Sequence, residues 1–527
     1  MDIPNRSERM HSTGQTAPVG MAMRPAPAAV AMPAWPQRHS FCAPGMQPDQ
    51  GGECVSTQCV SHFHPLADQV RNRSLADYEQ MVRARFDRIV PTLKQIAALQ
   101  HEADFEAEAQ QIAREKLGFE LPATILADAW VTTLDMRKLY GYGVLQTFRD
   151  LARDASAQIH NSTTESEAMA RFFIECGFHE IDVSACADGR LKGLLQYILR
   201  LPRQAVRRHQ AYAGTLFDVE ANVKQWSETE LRRFREGMPT LPESGTRYLK
   251  IAVYHFSTSD PLHAGCAAHG SDDRKAAQAA LDRLGALGTA IENGFCCGAS
   301  VATLLIGVDT DNDAIRVHVP DAQGGMSLDC FVDNMALYQA SAQCGEAEAR
   351  RLLSASIDEA ARRHGRGAPE PGMHRLIQRL LTNNLSQIDY VCDQHRGRYA
   401  DIGHAERFIS IGDGFEEVHL RNLAYFGHMH TLEEGAADMD VGIRIFTRLN
   451  VAHGLPVPVA IHYRYDCQVP GSRERAVSRC RRIKAAIEAR YPALVKEGLL
   501  VCGMTVQAKQ PGRALETVDE IDTVASH

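Results

Sequence analysis

The sequence predicts an α/β chain of several domains (α+β in its overall layout): a helical segment first, then two α/β units. Three observations lead there. The length, 527 residues, exceeds what one hydrophobic core usually supports. Apolar residues recur at helical spacing in the first third and then give way to alternating strand and helix patterns. Finally, two late stretches repeat, weakly, the order of elements found in the middle.

In chain order, residues 1–65 come first, rich in Pro, Ala, Met, Gly and Ser without periodicity. They read as a disordered tail, with Trp35, Arg38 and Phe41 as possible anchors of short binding segments. From "SLADYEQMVRARFDRIVPTLKQIAALQHE" to residue 157 the period is helical, and Ser74 with Asp77 resembles a capping arrangement. No polar cluster suited to catalysis falls there, so 66–157 is expected to pack or assemble. The character then changes. "HEIDVSACADGR" is a strand running into a polar turn, "LKGLLQYILRLP" a helix, and "YLKIAVYHFST" a strand. "SDDRKAAQAALDRLGALGTAIENG" is a long helix, and "VATLLIGVDTDNDAIRVHVP" returns as strand. This order implies a largely parallel sheet.

The repeat appears when "RFISIGDGFEEVHL" is laid on "IDVSACADGRLKGL" through their shared Asp-Gly. Cys186 then matches Ile411, Arg190 matches Phe415, and the strand position of His255 matches Tyr463. The later copy is expected to keep the fold and lose the polar residues.

Composition narrows the function classes. Hydrophobic content of 44% and charged content of 23% suit a soluble globular protein. A net charge of −8, with no basic run, gives no reason to expect nucleic-acid binding. No apolar stretch approaches the ~20 residues needed to cross a bilayer. Prolines interrupt "RPAPAAVAMPAWP", so no signal peptide is read and a cytosolic chain is expected. Fourteen cysteines then read as reduced thiols, mostly buried, with a few available to a metal.

Two segments carry the chemistry. In "SACADGRLKG", Cys186, Asp188 and Arg190 alternate, so an extended backbone points all three to one side at a strand end. Alone, the pattern is equally a buried Cys followed by a surface ion pair. "VYHFSTSDPLHAGCAAHGSDD" adds His255, His263, Cys266 and His269 within a short span. Cys186, Cys266 and one histidine make a Cys₂His set, and three protein ligands leave zinc a fourth position for water. Spacing leaves the histidine open. H-x-x-C favours His263, whereas His255 sits rigidly on a strand.

Rival readings are weaker. A nucleobase deaminase needs H-x-E with P-C-x-x-C, and the chain has no C-x-x-C. A structural zinc site recruiting His263 or His269 gives the Asp–Arg pair no purpose, and a binding module with a dead site would not retain every chemical part. Cys296 and Cys297 are expected to be buried rather than redox-active. "DTDND" at 309–313 lacks an EF-hand's spacing and reads as a solvated hairpin.

C-x-D-x-R with a distant His/Cys segment resembles the zinc sites of β-type carbonic anhydrases. "GRYADIGHAERF" and "EEVHLRNLAYFGH", with the two segments above, are similar to one branch, the carboxysome shell carbonic anhydrases, formerly the epsilon class. The resemblance implies a helical domain over 66–157 and a catalytic zinc β-carbonic-anhydrase-like domain over 158–403. A degenerate copy without zinc follows over 404–527. It implies one Zn²⁺ per chain on Cys186, His255 and Cys266, choosing His255 where spacing favours His263. Asp188 and Arg190 become a dyad that orients the attacking hydroxide, and Arg190 keeps Asp188 off the zinc. His404 matches a histidine near the family's active site, suited to proton relay. The implied reaction interconverts CO₂ and bicarbonate inside the carboxysome, supplying CO₂ to Rubisco. A homodimer or higher oligomer is implied, and residues 1–65 are expected to tether the enzyme to Rubisco or shell proteins.

Overall fold

The structure, a computed structural model, describes residues 63–519 apart from 130, 159–162, 238–246, 296–300, 400–405, 413–420, 422, 428–431 and 510–512. Trp35, Arg38, Phe41, Cys296, Cys297, His404 and Phe415 therefore lie outside the described residues.

Helices come first: α1 (Gln69–Asp87), α2 (Ile89–Ala98), α3 (Phe105–Lys116), α4 (Ala123–Asp128), α5 (Met136–Gln158) and α6 (Thr163–Glu175). The first begins earlier than the Ser74–Asp77 pair suggested. Asp68 is its cap, accepting a hydrogen bond from the Arg71 amide, and Ser74 lies inside the helix.

A six-stranded sheet follows, in spatial order β2-β1-β3-β4-β5-β6. Its strands are β1 (Phe178–Cys186), β2 (Arg208–Tyr212), β3 (Arg247–Phe256), β4 (Val301–Asp309), β5 (Ile315–His318) and β6 (Phe331–Asp333). The first four are mutually parallel, and β5 and β6 turn back antiparallel. Residues 248–256 of β3 are buried without a break, as expected of a strand covered on both faces. The covering helices include α7 (Val219–Arg235), α8 (Asp273–Phe295), α9 (Asn334–Ser341), α10 (Glu346–Arg363) and α11 (Pro371–His395), whose apolar residues share one core with the sheet. "LKGLLQYILRLP" is not an α-helix. It forms one wide π turn, Leu194–Ile198, stopped by Arg200 in the left-handed region ahead of Pro202.

A second, five-stranded sheet has the order β11-β10-β9-β7-β8. It is built from β7 (Phe408–Gly412), β8 (Ala424–Gly427), β9 (Val457–Tyr465), β10 (Leu500–Ala508) and β11 (Glu516–Thr517). Helices α12 (Leu432–Leu449), α13 (Ser472–Arg490) and α14 (Pro492–Lys496) accompany it. Strand for strand, β8-β7-β9-β10-β11 runs in the same order and directions as β2-β1-β3-β4-β5. Register corrects one detail of the sequence matching. Ala185 pairs with Val253, and Ser410 with Ala460. If Ile411 stands for Cys186, the place of His255 is taken by His462, one residue before Tyr463. Helix α5 packs on this sheet so closely that a Cβ on Gly141 would lie 2.8 Å from the Val501 side chain, a contact only glycine permits.

Candidate metal centre

The C-terminal ends of parallel strands open onto one place, as ligand sites in such sheets do. Cys186 is the last residue of β1, and His255 the penultimate residue of β3. Cys266 comes from the following loop, just before a tight turn over Ala267–His269. All three are buried, at 4%, 1% and 2% exposure. Their ligand atoms lie within 4.8 Å of one another, the one such convergence of His, Cys, Asp or Glu among the described residues. His263 is elsewhere, its side chain 79% exposed and bonded to Asp260. His269 bonds the Gly214 carbonyl.

The donor set and its spacing fit a metal ion. The two sulfurs are 3.8 Å apart, and a tetrahedral ion with thiolate bonds of about 2.3 Å requires about 3.8 Å between them. Nδ1 of His255 is buried with no hydrogen-bond partner among the described residues. The thiols are electrically coupled. Cys186 is pushed well above its usual range, first by its hydrogen bond to Cys266 and then by burial. Cys266 is held below its usual range by the Cys186 bond against burial, with the Ala268 and His269 amides helping. A cation would displace the proton that the sulfurs share.

Beside this cluster is a buried ion pair. Asp188 caps a single 3₁₀ turn, Gly189–Leu191, accepting from the Arg190 amide at 2.9 Å. The Arg190 guanidinium closes on the same carboxylate in a fork, Nε to Oδ1 at 2.9 Å and Nη2 to Oδ2 at 2.8 Å. Each side chain is 7% exposed. Asp188 Oδ2 and Arg190 Nη2 are both 3.4 Å from Nε2 of His255. Burial works against the arginine's charge, but Asp188 outweighs it and Glu406 adds to the effect, so its pKa stands above the ordinary value. The carboxylate is thus held by three donors on one side and faces the cluster on the other.

Sequence reasoning missed several residues that reach this pair. Arg190 Nη1 also donates to Thr310 Oγ1 at 3.0 Å and to the Ala264 carbonyl at 2.8 Å. Thr310 belongs to the "DTDND" turn, and the solvated-hairpin expectation for that turn is overturned. Asp309, Thr310 and Asp313 are buried. Asp309 binds the Thr258 hydroxyl, and Asp313 binds Gln387 and Arg421. Glu406 and Arg421 come from within the late motifs, where spacing indicated no role.

In the second sheet, Ile411 stands at the matched cysteine position and supplies no ligand. His462 is buried and bonded to Thr505 Oγ1 at 2.9 Å.

Comparison with known proteins agrees with this architecture. Three consecutive family models cover the chain: Carboxysome Shell Carbonic Anhydrase, N-terminal (64–156), catalytic domain (168–404) and C-terminal (405–522). Relatives named carboxysome shell carbonic anhydrase include one from Halothiobacillus neapolitanus, 48% identical over 482 residues, covering 90% of this chain and 94% of the relative. One from Prochlorococcus marinus is 47% identical over 459 residues, 86% of this chain and 88% of the relative. One from Parasynechococcus marenigrum is 48% identical over 471 residues, 88% and 80%.

A parallel sheet with a Cys–His–Cys cluster at its strand ends, within a matched catalytic domain, defines the chain as a carbonic anhydrase. More narrowly, it belongs to the carboxysome shell carbonic anhydrase family.

Proposed function

We propose that the protein is a zinc enzyme interconverting CO₂ and bicarbonate within the carboxysome, supplying CO₂ to Rubisco. The carboxysome is its location by family. One observation carries the chemical reading: two sulfurs and an imidazole converge next to a carboxylate that is forked by an arginine. Zinc held by Cys186, His255 and Cys266 supplies Lewis acidity, which lowers the pKa of a water from 15.7 to about 7. The residues do the rest. Asp188 accepts a hydrogen bond from the nucleophile's proton and so fixes its orientation toward CO₂. Arg190 draws that carboxylate away from the cluster, because a fourth protein ligand would close the site. Burial of all five side chains keeps bulk water from competing. His404 is assigned the relay of the released proton.

The reading extends to the rest of the chain. Residues 66–157 are the helical domain, 158–403 the catalytic β-carbonic-anhydrase-like domain, and 404–527 a copy that has lost its metal. The shared strand order of the two sheets and Ile411 at the cysteine position support the copy. Residues 1–65 recruit the enzyme to Rubisco or shell protein, since their Pro-, Ala- and Gly-rich composition suits short binding motifs. The protein acts as a homodimer or higher oligomer.

The test is CO₂ hydration by the purified protein, with zinc counted per chain. Activity proportional to zinc is expected, and a zinc-replete but inactive protein overturns the reading. For the tail, a chain starting at residue 63 should keep activity and lose packaging into carboxysomes. Normal packaging refutes the tether. Residue 63 is chosen because His64 is built into the fold, its amide on Asp389 and its ring on Ser341.

A further inference from the structure

The dyad does not stand alone on its own turn. Its outer side rests on Thr310, and Thr310 is gripped from behind. Arg421, from the segment between β7 and β8, is buried and donates to the Thr310 carbonyl and, at 2.7 Å, to Asp313 Oδ1. Its guanidinium lies 3.6 Å from the centre of the Tyr399 ring, and the Tyr399 hydroxyl closes on Asp313 Oδ2 at 3.1 Å. Gln387 takes the same oxygen at 3.0 Å. Asp313 itself sits at φ +61°, a left-handed position that costs energy unless its surroundings hold it.

Two buried guanidinium groups therefore hold one threonine, Arg190 through the hydroxyl and Arg421 through the carbonyl. Each carries its own carboxylate, Asp188 and Asp313 respectively. Arg421 is itself anchored, because Arg83 of α1 donates to its carbonyl at 3.3 Å while paired with Glu79. The C-terminal region presses on the dyad directly as well. A Cβ added to Gly189 would lie 2.7 Å from Glu406 and 2.8 Å from the Ala424 carbonyl.

We propose that Arg421 is a positioning residue for the reaction. By holding Thr310 and Asp313, it presents the Thr310 hydroxyl to Arg190 and so sets the angle at which Arg190 forks Asp188. The C-terminal region, whose described residues include none of the three ligands, is kept for this contact. The proposal rests on the dyad role given above.

The test compares Arg421→Lys, Thr310→Val and the double variant in the full-length zinc-loaded protein. Lysine keeps a charge for Asp313 but cannot also hold the carbonyl. One hydrogen bond to a charged group is at stake, so kcat should fall about tenfold in each single variant. KM and zinc per chain should stay as in wild type. Because both residues act through one contact, the double variant should be no slower than Thr310→Val alone. Hydrogen exchange at the 310–313 amides should quicken in Arg421→Lys. Wild-type kcat in Arg421→Lys, or losses that multiply in the double variant, overturn the proposal. If Arg421→Lys does not fold, Thr310→Val against Thr310→Ser decides. Serine should restore kcat, and a fully active valine variant refutes the link. Arg190→Ala is run alongside. If it is fully active, the dyad reading fails. If it is slow while Arg421→Lys is not, only the positioning role fails.

Discussion

Replacing Arg190 by alanine tests the centre most directly. The change removes a two-pronged contact, at 2.9 and 2.8 Å, from a carboxylate whose side chain is 7% exposed. Stripping a buried charge of its partner costs about 3–5 kcal/mol. Asp188 has an escape, because its Oδ2 is already 3.4 Å from the His255 ring, and without the fork it would be free to turn toward a metal held by that cluster. The escape recovers part of the stability and closes the fourth position. If about 2–3 kcal/mol of the loss falls on the transition state, kcat drops about 30- to 160-fold. Stopped-flow CO₂ hydration with a pH indicator reads the rate, and elemental analysis reads zinc. The expected outcome is slow turnover at full zinc content, with Arg190→Lys intermediate because a point charge cannot fork. Full hydration activity in Arg190→Ala would refute the reasoning, since the fork would then not be what holds the carboxylate in place.

Three further outcomes are expected. Cys186→Ser should weaken zinc retention in dialysis against a chelator, since a hydroxyl is a poorer ligand than a thiolate; unchanged metal content counts against ligation. Gly189→Ala forces a Cβ against Glu406 and the Ala424 carbonyl, an overpacking worth about 1–3 kcal/mol. A loss of stability in denaturant titration, with lower turnover, is expected, and a neutral substitution would mean that the two regions do not meet there. Glu79 gives a pH test. Burial pushes its carboxyl up, but His395, Arg83 and Tyr390 outweigh burial and hold it at about 2, below the ordinary glutamate value of 4.5. Its folded pKa is depressed, so its contribution is present above about 4.5 and lost as pH falls toward 2. Glu79→Gln should therefore be about 1–3 kcal/mol less stable than wild type at pH 7, with the gap narrowing below pH 4.5. A gap independent of pH would contradict the assignment.

The sequence by itself determined which short stretches hold chemistry. Cys186, Asp188 and Arg190 were legible as a group because they alternate where a strand pattern runs out. The extended backbone expected through all three is corrected: β1 stops at Cys186, and a 3₁₀ turn over Gly189–Leu191 folds Arg190 back onto Asp188. The order of strands and helices was legible as a local period. Short-range conflicts misled it in places. Asp68 outcompeted Ser74 as a cap, and a π turn over Leu194–Ile198, followed by Arg200 in the left-handed region, stands where apolar residues suggested a helix.

Only the tertiary structure decided which histidine stands beside the sulfurs. His263 is near Cys266 in sequence, but its loop turns it outward to Asp260, while β3 carries His255 inward against β1. Nor could spacing reveal Thr310 or Arg421. They lie 120 and 231 positions after Arg190, and they reach it because parallel strands end at a common edge and a second sheet closes over that edge. The "DTDND" turn looked solvated because its composition is polar. It is buried because Arg421 pairs with Asp313 while Arg190 holds the Thr310 hydroxyl, and such compensation from distant segments is written in the fold alone.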